Sequence, residues 1–158
     1  MAQSLSEKIF MSNLKRFVKL SDLTEIRTGF TFREKVEEVE SGNAHVLQIK
    51  DIRSIATDTC GYTLFADALP QIGWHGKDNA IVSPETVLLP CRGEYLKAHY
   101  FVGYQDQSKA LPLIVSSQFL ILMPNQNVLP EYLCWYLNQP NVQYELRKES
   151  QGSKMPML

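Results

Sequence analysis

Cys91 is followed by Arg92-Gly93-Glu94, with His99 and Asp106 downstream, so a cysteine nucleophile, an imidazole base and an orienting carboxylate can be drawn from one stretch of chain. Such sets are defined by geometry and not by sequence order. The plainer reading of the same residues is a buried strand-end thiol beside a surface or strand histidine. His45, His75 and His99 lack the i, i+4 spacing of a helical metal pair, and neither HExxH nor a Walker-type phosphate loop occurs. Glu34, Glu37, Glu38 and Glu40 offer carboxylates for acid–base work, yet a run of like charge is more simply a solvated face. No catalytic residue and no metal ligand is assigned, and an enzyme is not expected.

The cations and amides suggest binding instead. Arg27, Arg33, Lys50, Arg53, Arg92, Lys97, Lys109, Arg147, Lys148 and Lys154 fall mostly in loops or at the ends of inferred elements. Arginine can take phosphate oxygens or read guanine with both arms of its guanidinium, and Asn or Gln can do the same for adenine. Groove reading from a β-rich scaffold needs side chains placed in this way. Phe30 and Phe32 could brace a recognition loop. Any one of these residues taken alone is ordinary surface charge.

The elements that would hold them follow from pattern and punctuation. Residues 1–16 form a polar lead-in, frayed or helical. Leu20-Ser21-Asp22-Leu23-Thr24-Glu25-Ile26 reads as a short helix, with Ser21 as N-cap, Leu23 and Ile26 on one face and Gly29 ending it. Gly29-Phe30-Thr31-Phe32-Arg33 is an exposed loop, and the acidic run closes at the turn Ser41-Gly42-Asn43. Ala44 to Ile52 alternates as a strand does. Further strands are expected at Gly61–Phe65, Asn79–Val82, Thr86–Pro90, Tyr100–Tyr104 and through the apolar run Leu113 to Met123. A helix opens at Leu129-Pro130-Glu131, with Pro and Glu in its favoured first-turn places. Pro140 breaks it and starts another running through Leu146 to Glu149. Helix, many strands, then helices make an α+β, β-rich domain over residues 17–158.

Composition permits this and excludes little. The 158 residues suit one domain, with 44% hydrophobic and 21% charged residues, in the ordinary globular range. Three widely spaced cysteines with no CxxC pair argue against a disulfide framework or a zinc site, so a cytoplasmic protein is expected. No apolar run is long enough for a signal peptide or a membrane span. Sixteen basic and seventeen acidic residues give a net charge of −1, which argues against gripping DNA by charge alone.

The order of several segments resembles the target recognition domain of type I restriction-modification specificity subunits. They begin with Val18 to Gly29, which holds the leading helix and its glycine, and Val46-Leu47-Gln48-Ile49-Lys50-Asp51-Ile52. Next come Val87-Leu88-Leu89-Pro90-Cys91-Arg92-Gly93 and Ser116-Ser117-Gln118-Phe119-Leu120-Ile121-Leu122. Leu129-Pro130-Glu131-Tyr132-Leu133-Cys134-Trp135-Tyr136-Leu137 and Gln151-Gly152-Ser153-Lys154-Met155-Pro156-Met157-Leu158 complete the series.

The resemblance covers about residues 17–158. It implies a domain that binds one half of a split site in double-stranded DNA and does no chemistry. Such a domain positions a methyltransferase subunit, which alone holds S-adenosylmethionine, and a restriction subunit. The family's long spacer helix is absent, so either a half-size subunit that pairs with a second copy or a chain cut before that helix is expected.

Leu20, Leu23, Ile26, Val46, Ile49, Leu88, Phe119, Ile121, Leu133 and Tyr136 match scaffold positions and should be core. Arg27, Phe30, Arg33, Arg92, Lys97 and Lys154 are the candidate DNA contacts. A competing class is a regulatory or anti-restriction protein that binds the methyltransferase without reading DNA, favoured by the acidic run Glu34–Glu40. A third class is a small hydrolase built on Cys91 and His99.

Overall fold

A computed structural model of the chain describes residues 10–11, 17–54, 62–92 and 96–151. A short ribbon pairs β1 (Phe10–Met11) with β2 (Phe17–Val18), within and just after the stretch expected to be a lead-in. There follow α1 (Leu20–Leu23), β3 (Thr24–Thr28), β4 (Ala44–Leu47), α2 (Ile49–Ser54), β5 (Thr63–Phe65) and β6 (Gln71–Ile72). Then come β7 (Ile81–Val82), β8 (Thr86–Pro90), β9 (His99–Gly103), β10 (Leu113–Val115) and β11 (Phe119–Pro124). The chain turns helical in α3 (Pro130–Leu137) and α4 (Pro140–Gln151). The fold is α+β, as the sequence predicts.

Two sheets carry the architecture. One has strand order β3-β11-β8-β9-β5, the other β6-β4-β10-β7. Most pairs are antiparallel, but β4 with β10 and β5 with β9 run parallel. Period-2 alternation sorts the side chains into layers. Leu47, Val82, Leu88, Phe101, Leu113, Val115, Phe119 and Ile121 meet between the sheets. Val87, Leu89 and Leu122 face the other way and pack under Leu133, Leu137, Val142 and Leu146 of the helices. Ala44, Val46, Ile72 and Ile114 lie on the outer face of the smaller sheet, covered by Phe32, Val36 and Trp74. Strands buried on both faces read as unbroken apolar runs, which is why Thr86–Pro90 was legible to the residue.

Three expectations need correction. The helix expected from Leu20 to Ile26 stops at Leu23, and Lys19, not Ser21, occupies its N-cap. Thr24 to Thr28 is instead a strand, antiparallel to β11 from Thr28↔Leu120 to Thr24↔Pro124. Thr24, Ile26 and Thr28 are β-branched and alternate, a pattern that favours extended backbone once a partner strand is present. In this register Ile26 is 41% exposed and is not core.

The strand expected over Ala44–Ile52 ends at Leu47 and gives way to α2. Asp51 Oδ2 accepts the Gln48 N–H at 2.8 Å, half of a capping box that turns the chain into a helix. The apolar run from Leu113 is two strands, split at Ser116–Gln118. Of the other predicted core positions, Leu20, Leu23, Val46, Leu88, Phe119, Ile121 and Leu133 are buried, and Ile49 and Tyr136 partly so.

Candidate nucleic-acid interface

The strand registers gather several loops at one end of the molecule. β3 leaves its sheet at Thr28, β8 at Pro90 opposite Phe119, and β9 enters at His99 opposite Leu88. In the smaller sheet β4 and β10, running parallel, finish together at Leu47 and Val115. The turn Ser116–Gln118 carries the chain from one sheet to the other at this end, and it is the hub around which the loops are tied.

Phe30 N–H donates to Val115 O at 2.7 Å, and Ser117 N–H donates to Phe30 O at 2.8 Å. Cys91 N–H donates to Gln118 O at 3.0 Å, and the Cys91 thiol lies 3.7 Å from Ser117 O. Gln118 Oε1 accepts from Ile49 N–H at 3.1 Å and from Ser116 Oγ at 3.0 Å. One turn thus fixes Phe30, the start of α2 and the residue before Arg92. Lys50 projects from the start of α2 and pairs with Glu38. The clustering of Gln48, Lys50 and Gln118 with Phe30 and Arg92 was not anticipated. The available signal was a Gln at the end of one apolar strand and another just before the next.

The predicted contacts divide among this end and its flanks. Arg92 is exposed beside the hub. Phe30, 37% exposed, stacks edge-on against Phe32 at 5.0 Å and Trp74 at 4.8 Å, a cluster that stiffens the loop leading to exposed Arg33. Arg27 donates to Asn79 O at 2.8 Å and Ile81 O at 3.1 Å, joining edge strand β3 to edge strand β7. Lys97 sits on the helical flank, its Nζ 3.2 Å from Asn138 O and 5.9 Å from the centre of the Tyr62 ring. Arg27 and Lys97 therefore spend donors on bracing the scaffold. Lys154 lies outside the described residues.

Other charges shape the surroundings. Glu34, Glu37, Glu38 and Glu40 are exposed, along a segment that joins edge strand β6 through Val39. Burial pushes the Asp51 carboxyl up, while the Gln48 N–H and Lys50 pull it down.

The residues that suggested a nucleophile are poorly tuned for one. Burial pushes the Cys91 thiol up, and the nearby Arg92 charge only partly offsets it, whereas a nucleophilic cysteine needs a lowered pKa. Burial also holds His99 down to about 4, and its Nδ1 lies 3.1 Å from Lys97 O. Among the described residues no cluster of His, Cys, Asp or Glu is placed to hold a metal ion, and no helix is long and apolar enough to cross a membrane.

No protein-family profile matches the sequence, and no curated protein does. Among solved structures the chain is similar to the HsdS subunit from Thermoanaerobacter tengcongensis, with 16% sequence identity and a TM-score of 0.56. The match covers 99% of this chain and 34% of that one, so the chain spans about a third of the length of the solved protein. At that identity the likeness is one of fold.

Proposed function

We propose that the chain is the sequence-specific DNA-binding component of a type I restriction-modification complex, a target recognition domain that directs methyltransferase and restriction subunits to half of a split site. One observation carries the reading: the fold likeness to an HsdS subunit extends over 99% of the chain, in agreement with the ordered segments of the sequence. The chain itself does no chemistry, works in the cytoplasm, and leaves S-adenosylmethionine to the methyltransferase.

In this reading the loop end faces double-stranded DNA. Arg92 and Arg33 are exposed there or on the adjoining loop and would meet phosphate or base edges. Phe30 holds the second of these loops, and Arg27 and Lys97 set the flanks, with Lys154 a further phosphate contact. With a net charge of −1, specificity must come from a few well-placed hydrogen bonds more than from bulk attraction.

Selection of the purified protein against a random duplex pool, with and without the methyltransferase subunit, tests the proposal. Enrichment of a short half-site is expected. A folded protein that enriches nothing in either condition refutes it, and would favour a protein that docks on the methyltransferase through its exposed acidic segment without reading DNA.

A further inference from the structure

The connection from β6 to β7 crosses the outer face of the smaller sheet. β6 and β7 are the two edges of that sheet, so residues 73–80 must pass over β4 and β10, a span of about 14 Å at the usual strand spacing. Trp74 does the covering, packed with Phe32 and Val36 over Ala44, Val46, Ile72 and Ile114. The residues after it, His75 to Asn79, are exposed and take no part in that apolar layer.

This exposed stretch is nonetheless held at three points. Asn43 brackets the Trp74 peptide: its Oδ1 accepts Trp74 N–H at 2.5 Å, and its Nδ2 donates to Trp74 O at 2.8 Å. The Trp74 ring meets Phe30 edge-on at 4.8 Å, and at Gly76 the chain folds back onto the same ring, so closely that a Cβ there would lie 2.2 Å from Trp74 Cζ2. At the far end Arg27 donates to Asn79 O at 2.8 Å and to Ile81 O at 3.1 Å.

The stretch also ends beside the gathered loops. Ile81 stands opposite Ile114, one residue before Val115, where β4 and β10 finish. Asn79 is therefore at that end of the molecule, and Lys77 is one turn away, its carbonyl accepting Ala80 N–H at 3.1 Å. Among the described residues the side chains of Lys77 and Asn79 make no hydrogen bond or ion pair, so their donors are unspent. Asp78 is the acidic neighbour here, and Arg27 brings a second cation against Asn79. Glu34 and Glu37 line a groove with Ile72 and Gly73, at the opposite end of the connection. A loop braced before binding loses little freedom on binding. An ammonium on such a loop suits a phosphate, and a carboxamide suits the edge of adenine.

We infer that Lys77 and Asn79 are DNA contacts, Lys77 on a phosphate and the Asn79 amide on a base edge. The inference rests on the DNA-reading function proposed above, and the test tells the two apart.

Binding of the selected duplex, and of duplexes with each base pair of its half-site changed in turn, is measured across a salt series for wild type, Lys77→Ala, Asn79→Ala and Lys109→Ala. Lys109 is the control, an exposed cation beyond Gly103, where β9 leaves its sheet at the end away from His99. Lys77→Ala should lower the slope of log K against log salt by about 0.9, and so weaken binding about eightfold near 0.1 M salt, alike on every duplex. Asn79→Ala keeps the carbonyl that Arg27 uses; it should preserve the slope and reduce discrimination at one base pair by about fivefold or more. Lys109→Ala should match the wild type in both. A Lys77→Ala slope equal to that of the wild type, or a Lys109→Ala loss as large, overturns the phosphate contact. An unaltered base preference in Asn79→Ala overturns the base contact. In either case a wild type that selects a half-site leaves the DNA-reading function standing. A wild type that selects no duplex overturns that function and this inference together.

Discussion

Gly29→Ala should destabilise the fold sharply, for a reason readable atom by atom. A Cβ on residue 29 would lie 2.0 Å from Ser116 O, 2.5 Å from Ser116 C and 2.5 Å from Val115 O. All three are backbone atoms of the hub, so no side chain can swing aside, and the segment must back away by roughly an ångström. That movement breaks the bonds from Gly29 N–H to Phe119 O (3.0 Å), from Phe30 N–H to Val115 O (2.7 Å) and from Ser117 N–H to Phe30 O (2.8 Å). At about 1 kcal/mol net for each, the loss is about 3 kcal/mol. The stiffer unfolded chain of alanine returns somewhat less than about 1 kcal/mol. A chain of this size loses about 2–4 °C in Tm per kcal/mol, so the variant should melt roughly 5–10 °C lower. Gly73→Ala is the matched control, because its Cβ would meet only His75 Nε2 at 3.9 Å. Its stability should stay within about 0.5 kcal/mol of wild type. Differential scanning calorimetry on the three proteins decides the matter. A Gly29→Ala Tm within about 2 °C of wild type, or a Gly73→Ala loss as large, would refute the steric argument.

Further expectations concern the interface and the pH response. Arg92→Ala should leave Tm nearly unchanged, since the side chain is exposed, while weakening binding to the selected duplex and lowering the salt slope by about 0.9; unchanged binding would misplace the contact surface. Phe30→Ala removes edge-on contacts to Phe32 and Trp74, each worth about 0.5–1.5 kcal/mol, and should lower the urea midpoint and weaken the near-ultraviolet signal of Trp74; an unaltered spectrum would contradict the packing. His99, held down to about 4 by burial, refuses in the folded state a proton that the unfolded chain takes up near 6.5. Stability should therefore fall as pH drops through that window, by on the order of 3 kcal/mol, and level off below it. Urea midpoints measured across the window should show a flatter acid limb in His99→Gln.

What the sequence conveyed depends on how local the cause was. β8 and α3 were legible because their signals are contained within them: a run buried on both faces ahead of Cys91, and Pro130 and Glu131 in a first turn. β3 misled because Leu20, Leu23 and Ile26 have helical spacing, and only pairing with β11, about ninety residues away, selects the extended form. β6 has two residues and no period to read. Of the candidate interface, the exposure of Arg33 and Arg92 could be expected from residue type and position. The bracing by Arg27 and Lys97 could not, since their acceptors are carbonyls of residues 79, 81 and 138. Asn138 and Gln143 escaped notice for a related reason: a polar residue in or beside a helix is expected to face water, whereas these two bond the backbone of Ala98 and Leu96, about forty residues back.

The placement of β10 and β11 bears on how the chain is made. Each is an interior strand, β10 between β4 and β7 and β11 between β3 and β8, and both come from the single stretch Leu113–Pro124. Until that stretch leaves the ribosome, neither sheet can close, and β3, β4, β7 and β8 wait with open edges and apolar faces. Contacts so distant in sequence slow folding and lengthen exposure to aggregation. Nascent chains halted before Leu113 should therefore be protease-sensitive and recruit chaperones, and protection should rise once Pro124 has emerged and again once α3 and α4 cover the remaining face of the larger sheet. Both sheets are closed late, by one short piece of chain.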